Sequence, residues 1–164
     1  MQAIVYVSNT GYTKAYAELL STRTGLPAMP LAEAVKQLPR NSQVIYLGWL
    51  MAGSVKDYRK AARRFDVRAI CGVGLGDSGA QDAAARKACG VTADFPLFTL
   101  QGGMDLARLR GPYKLAIHLL TKGLAASKKR TPDDERMLQL LQQGGNYVSV
   151  ENLAPVLNWF DAQR

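Results

Sequence analysis

Cysteine and histidine are almost missing from this chain, with two Cys and one His in 164 residues. Cys71 and Cys89 alone cannot build a disulfide framework, so a reducing cytoplasm is the expected compartment. His118 has no other histidine and no nearby cysteine to share a ligand with, which excludes a His/Cys metal centre. A lone histidine is also more often a surface or core group than a general base. Long apolar runs are absent too; none approaches the roughly 20 residues a membrane span needs. Met1-Gln2-Ala3-Ile4 has no basic n-region and no cleavage site, so no signal peptide is expected. No repeat and no low-complexity segment is present. What remains is ordinary: apolar residues are 48% and charged residues 21%, a balance that excludes disorder, collagen and coiled coil. The length predicts a single domain.

Acidic residues are scarce relative to basic ones, 13 against 21, which leaves a net charge of +8. The excess is local. Residues 104–130 hold seven basic side chains and one acid, Asp105; residues 55–68 hold six against Asp57 and Asp66. Such runs either face water or meet an anionic ligand, an anionic membrane face or nucleic acid. Nucleic acid is not the expected partner, because the chain has no reading motif and no run of exposed aromatics.

Periodicity predicts alternating strands and helices. Ala3–Val7, Gln43–Trp49, Val67–Val73 and Phe95–Leu100 are near-continuous apolar runs, the mark of strands buried on both faces. Leu26–Met29 is a candidate short strand. Helical spacing is expected over Lys14–Thr22, Ala32–Leu38, Val55–Phe65 with Ser54 as N-cap, and Gln81–Ala88. This alternation points to βαβ units, hence an α/β fold with a five-stranded parallel sheet and helices on both faces. After the fifth strand the rhythm breaks. An insertion at about 104–146 holds two helices, Tyr113–Ala126 and Pro132–Gln143, and no convincing strand. Tyr147–Val150 is a short strand or an extended link. Asn152–Ala162 reads as a closing helix with Asn152 as N-cap.

Ligands of open parallel sheets bind outside the carboxyl ends of the strands. Three such ends stand out. Ser8-Asn9-Thr10-Gly11-Tyr12-Thr13 brings three hydroxyls to a helix N-terminus, where free N–H groups and the dipole attract an anion. This loop is neither a Walker loop nor a Gly-x-Gly-x-x-Gly fingerprint. Trp49-Leu50-Met51-Ala52-Gly53 follows the third long run; Trp49 could stack on a ring or could be core. Gly74-Leu75-Gly76-Asp77-Ser78 follows the next, where Asp77 and Ser78 either hold a ligand or form a plain turn.

In order and position, these three loops resemble the FMN-binding loops of flavodoxins. Ser8, Thr10, Gly11 and Thr13 match the phosphate loop, with Tyr12 where Asn is commoner. The resemblance implies a flavodoxin-like three-layer sandwich that binds FMN. It implies a phosphate held by hydroxyls and backbone amides without a basic side chain. Trp49–Gly53 would lie along the flavin ring, and Gly74–Ser78 would contact its other side; Gly79 stands where electron carriers often have an aromatic residue.

Electron-carrier flavodoxins are acidic, whereas this chain is basic and carries a long late insertion. In size, charge and insertion it is similar to the flavodoxin-type protoporphyrinogen oxidases, on the stretch Leu97–Asp105 and Gly111–Leu115. That likeness implies oxidation of protoporphyrinogen IX, a step of heme biosynthesis, with electrons passed to a quinone at the inner face of the membrane. Arg108, Arg110 and Lys114 are then candidates for an anionic substrate's carboxylates. The segment Tyr113–Lys122 either rests on an anionic membrane surface or packs on the sheet with its basic edge in water. No catalytic acid or base stands out. An FMN electron carrier or quinone reductase with another partner, and a cofactor-free binding module, remain alternatives.

Overall fold

The computed structural model describes residues 1–109 and 111–164. The apolar runs become β1 (Ala3–Val7), β3 (Gln43–Met51), β5 (Asp66–Gly74) and β6 (Leu97–Gln101), joined by the short β2 (Ala28–Pro30). All five are parallel, in the order β2-β1-β3-β5-β6. The β1–β3 register runs from Ala3 opposite Val44 to Val7 opposite Gly48. Between β3 and β5 the register steps after Val44, which pairs Val67, while Ile45 pairs Ala69. Arg68 is thereby the extra residue, and it is exposed.

Side chains of a strand alternate between the two faces, and here both faces are covered. Ile4, Tyr6, Ile45, Leu47 and Cys71 pack with α1 (Tyr12–Thr24) and α7 (Ala154–Asp161). Ala3, Val5, Val44, Tyr46 and Ile70 pack with α2 (Leu31–Gln37), α3 (Tyr58–Ala62) and α4 (Asp82–Cys89). The result is a three-layer α/β sandwich. Burial pushes the Cys71 thiol up to about 12, so it stays protonated as a packing residue.

Four expectations change. The sheet has a sixth strand, β4 (Ser54–Val55), antiparallel to the end of β3. Ser54 is therefore not a helix N-cap, and the helix expected over Val55–Phe65 shrinks to α3. The cause is tertiary. β3 runs two residues past Trp49 and turns back, and Val55 becomes a buried strand residue. Lys56 N–H then donates to the Trp49 carbonyl at 3.0 Å, while Tyr46 Oη donates to the Lys56 carbonyl at 2.5 Å.

The insertion also contains a strand pair: β7 (Gly103–Met104) lies antiparallel to β8 (Gly145–Asn146). Between them run α5 (Gly111–Ala126) and α6 (Pro132–Gln143). Thr131 and Asp134 form a reciprocal capping box at the start of α6. Met104, Leu109, Leu140 and Leu141 form a small core of the insertion's own.

Finally, Tyr147–Val150 is an extended link, and Asn152 lies in a 3₁₀ turn, Glu151–Leu153, rather than at an N-cap. Its side-chain amide instead donates to Tyr16 Oη at 2.8 Å and to the Tyr147 carbonyl at 2.9 Å. Tyr16 is fully buried and donates its hydroxyl to the Gln101 carbonyl at 2.5 Å. That chain of bonds ties α1, the end of β6 and the C-terminal segment together.

Candidate functional site

The carboxyl ends of β1, β3 and β5 open onto one cavity of about 490 Å3. Small-molecule and cofactor sites typically span about 300–1,000 Å3. Asn9, Thr10, Tyr12 and Thr13 line one end of it; Trp49, Leu50, Met51, Ala52 and Gly53 form a wall; Gly74 and Leu75 follow. The sequence-level candidates from all three loops thus meet in one place.

The first loop is organised by Gly11. Its φ of 101° lies in the left-handed region that glycine adopts without strain. The chain then enters α1 with no side-chain cap on Gly11. Of the three hydroxyls, Ser8 Oγ accepts from Lys14 N–H at 3.3 Å and so serves the helix. Thr10 and Thr13 hydroxyls have no hydrogen-bond partner among the described residues. Thr13 is only 2% exposed, yet it lines the cavity. The N–H groups of Gly11, Tyr12 and Thr13 precede the first intrahelical bond, Ala15 N–H to the Gly11 carbonyl. The end of the cavity therefore holds two free hydroxyls, unpaired amides and the positive end of a dipole.

The second loop is a hairpin tip rather than an open loop. Ala52 and Gly53, with φ of 49° and 77°, join β3 to β4. Two successive left-handed residues are the requirement of a type I′ turn, for which Asn-Gly is the preferred pair. Alanine there carries strain. Ala52→Asn is expected to stabilise the protein by about 0.5–1 kcal/mol, raising Tm by about 1–4 °C in calorimetry. No gain would show that the tip relaxes without cost. Trp49 is neither core nor free: it meets Tyr113 of α5 edge to face, with centroids 5.1 Å apart.

The third loop divides. Gly74 and Leu75 reach the cavity, whereas Gly76, Asp77 and Ser78 do not line it. Ser78 Oγ instead accepts from Gln101 N–H at 3.0 Å, and the Asp77 carbonyl accepts from Ala80 N–H at 3.1 Å. Asp77 and Ser78 thus form a turn tied to Ala80 and to the end of β6.

The insertion supplies the opposite wall, which sequence reasoning missed. Tyr113, Ile117, Leu120 and Leu124 of α5 face the cavity together with Met137 of α6. Their spacing, i, i+4, i+7 and i+11, marks one stripe of a helix. The stripe was legible; its target was not. No residue of α5 is fully buried, because its inner face forms a cavity wall rather than a core. Gln81, at the start of α4, is another lining residue without a sequence signal.

Among the basic candidates, Lys114 is exposed on α5 and does not line the cavity. Arg110 lies outside the described residues. Arg108 sits over the first loop, its Nη1 donating to the Thr10 carbonyl at 3.3 Å. Burial first, then the charge of Asp105, push the Tyr12 hydroxyl above its usual range, while Arg108 opposes them. No Asp, Glu, His, Lys, Arg or Cys lines the cavity among the described residues. No group of three His, Cys, Asp or Glu among them could hold a metal ion. No helix among them is long and apolar enough to cross a membrane. His118 is exposed. Burial raises the Cys89 thiol, with Val55 N–H and Arg59 opposing it.

Comparison with family models, curated proteins and solved structures gave no match for this chain.

Proposed function

We propose that this chain is an FMN-binding oxidoreductase with a flavodoxin-like fold. The observation that carries the reading is the convergence of three strand-end loops on one largely apolar cavity whose end holds the unpaired amides and hydroxyls of the first loop. With the hairpin strand β4 set aside, the strand order is the 2-1-3-4-5 order of flavodoxin-like sheets, which bind FMN at the switch point beside the first strand. The donor set suits a phosphate dianion: Thr10 and Thr13 line the end of the cavity with hydroxyls that have no protein partner among the described residues, and the amides bear partial positive charge. The apolar wall, which includes Trp49 and Leu50, suits a planar ring.

FMN, when bound, supplies reversible transfer of two electrons. The residues of the chain bind, orient and exclude water. Among the described residues no Asp, Glu, His, Lys, Arg or Cys lines the cavity, and what these lining residues contribute is placement and desolvation. α5 and α6 lie across the cavity, which favours an enzyme that encloses a second apolar molecule over an electron carrier whose flavin edge must stay open to a partner. The substrate we propose, on the resemblance to the flavodoxin-type oxidases, is a porphyrinogen such as protoporphyrinogen IX, with a quinone as acceptor. Contact with the cytoplasmic face of an anionic membrane fits the outer side of α5, where Leu115 and Leu119 are each 60% exposed near Lys114 and Lys122.

The first test is spectroscopic. After incubation with FMN and gel filtration, the protein should retain one flavin per chain and its visible band. A protein that stays colourless at high FMN would leave a cofactor-free binding module. The second test uses the loaded protein with anionic vesicles that contain a quinone. Protoporphyrinogen should be oxidised at the expense of the quinone, and the protein should sediment with the vesicles. Flavin retention without turnover would assign the chain to another electron-transfer partner.

A further inference from the structure

In the flavodoxin pattern the phosphate is held without a basic side chain, yet here a guanidinium lies on the phosphate loop. Arg108 belongs to the insertion, 98 residues away from Thr10 in sequence. Its Nη1 donates to the Thr10 carbonyl at 3.3 Å and lies 2.9 Å from where a Cβ on Gly11 would stand. Local contacts orient this side chain, which is 66% exposed. Asp105 Oδ2 pairs with Arg108 Nε at 3.0 Å. The other oxygen of Asp105 accepts from Ala107 N–H at 3.0 Å and from Arg108 N–H at 3.3 Å. One carboxylate thus shapes the turn and aims the side chain. A guanidinium has five N–H donors. Nε serves Asp105 and one Nη1 hydrogen serves Thr10, so three donors remain on a side chain that touches the first loop at Thr10 and Gly11.

We propose that Arg108 completes the anion site from the insertion side and latches the insertion to the phosphate group of the bound cofactor. This rests on the FMN reading above. The loop supplies dipoles; Arg108 adds a full positive charge in contact with it, and a guanidinium fork can pair with two phosphate oxygens. Because the same insertion carries the α5 wall, phosphate binding and closure of the cavity become one event. Arg108 is then a cofactor residue rather than one that holds a substrate carboxylate.

The test compares FMN with riboflavin, which has the same ring and no phosphate. In Arg108→Gln the Kd for FMN should rise about 10- to 100-fold, while that for riboflavin stays unchanged. Arg108→Lys should fall between, because it keeps the charge and loses the fork. In hydrogen exchange, FMN should protect residues 104–126 of the parent protein, riboflavin should not, and in Arg108→Gln FMN should protect only the first loop. Equal losses for both flavins, or FMN binding untouched by the substitution, would overturn the proposal. If the parent protein binds neither flavin, the FMN reading falls and the latch falls with it. That outcome is distinct from one in which FMN binds and the Gln variant binds it equally well.

Discussion

Thr13→Val is expected to raise the Kd for FMN about 10- to 100-fold and to leave riboflavin binding and the fold intact. The two side chains share a shape, so the substitution removes a hydroxyl and little else. Thr13 is 2% exposed and lines the cavity, and its hydroxyl has no protein hydrogen bond among the described residues for the substitution to break. The Val variant should therefore melt at the parent's temperature or slightly above it. With FMN the sign reverses. A hydrogen bond to a charged acceptor contributes about 1.5–3 kcal/mol, which converts to the stated range at about 1.4 kcal/mol per tenfold. Thr13→Ser, which restores the hydroxyl, should recover most of the affinity. If the Val variant holds FMN as tightly as the parent, the phosphate does not sit at the head of α1. A fluorescence titration with both flavins reads every arm.

The parts of this site that were legible in sequence are those fixed by local chemistry. β1, β3, β5 and β6 declared themselves because a doubly covered strand must be apolar at consecutive positions. Gly11 and the hydroxyls around it declared the first loop, because a helix start facing an anion needs free N–H groups and a residue tolerant of left-handed φ. What stayed hidden depends on distant partners. Ser54 has the chemistry of an N-cap, and only the extension of β3 past Trp49 turns it into a strand residue. Ala52-Gly53 lacks the Asn that would have announced the hairpin. Ser78 looks like a ligand hydroxyl, and nothing local says that it also accepts from the Gln101 N–H at the end of β6. Arg108 was visible as charge, and nothing local says that it reaches the Thr10 carbonyl. The α5 stripe was visible as a face without a destination. Fold, then, was carried by pattern; half of the site was carried by pairings that pattern does not encode.

Gly103→Ala should cost about 1–3 kcal/mol and detach the insertion before the sheet melts. Gly103 opens β7, where it pairs Asn146, and the next pair is Met104 with Gly145. A Cβ at Gly103 would collide with the Gly145 carbonyl oxygen and stand 2.9 Å from the Tyr12 ring. The first obstacle is backbone, which cannot rotate away; the second is the side chain that closes the first loop. Relief requires the β7–β8 pair to open. That withdraws Met104 from its cluster with Leu109, Leu140 and Leu141, the core that holds α6 under the α5 wall. Tyr12 must shift as well, which disturbs the head of α1. One methyl group thus strikes both the wall and the anion site, so flavin should dissociate faster even where the sandwich survives. Gly123→Ala is the control. It lies on α5 with nothing within 4 Å of an added Cβ, and it has no left-handed φ. Alanine is favoured over glycine inside a helix by about 0.5–1 kcal/mol, so that variant should stabilise α5. Hydrogen exchange of residues 104–146 in the two variants should therefore move in opposite directions, while β1, β3 and β5 stay protected in both. If Gly103→Ala leaves exchange in the insertion unchanged, the ribbon is not what fastens the wall to the sheet.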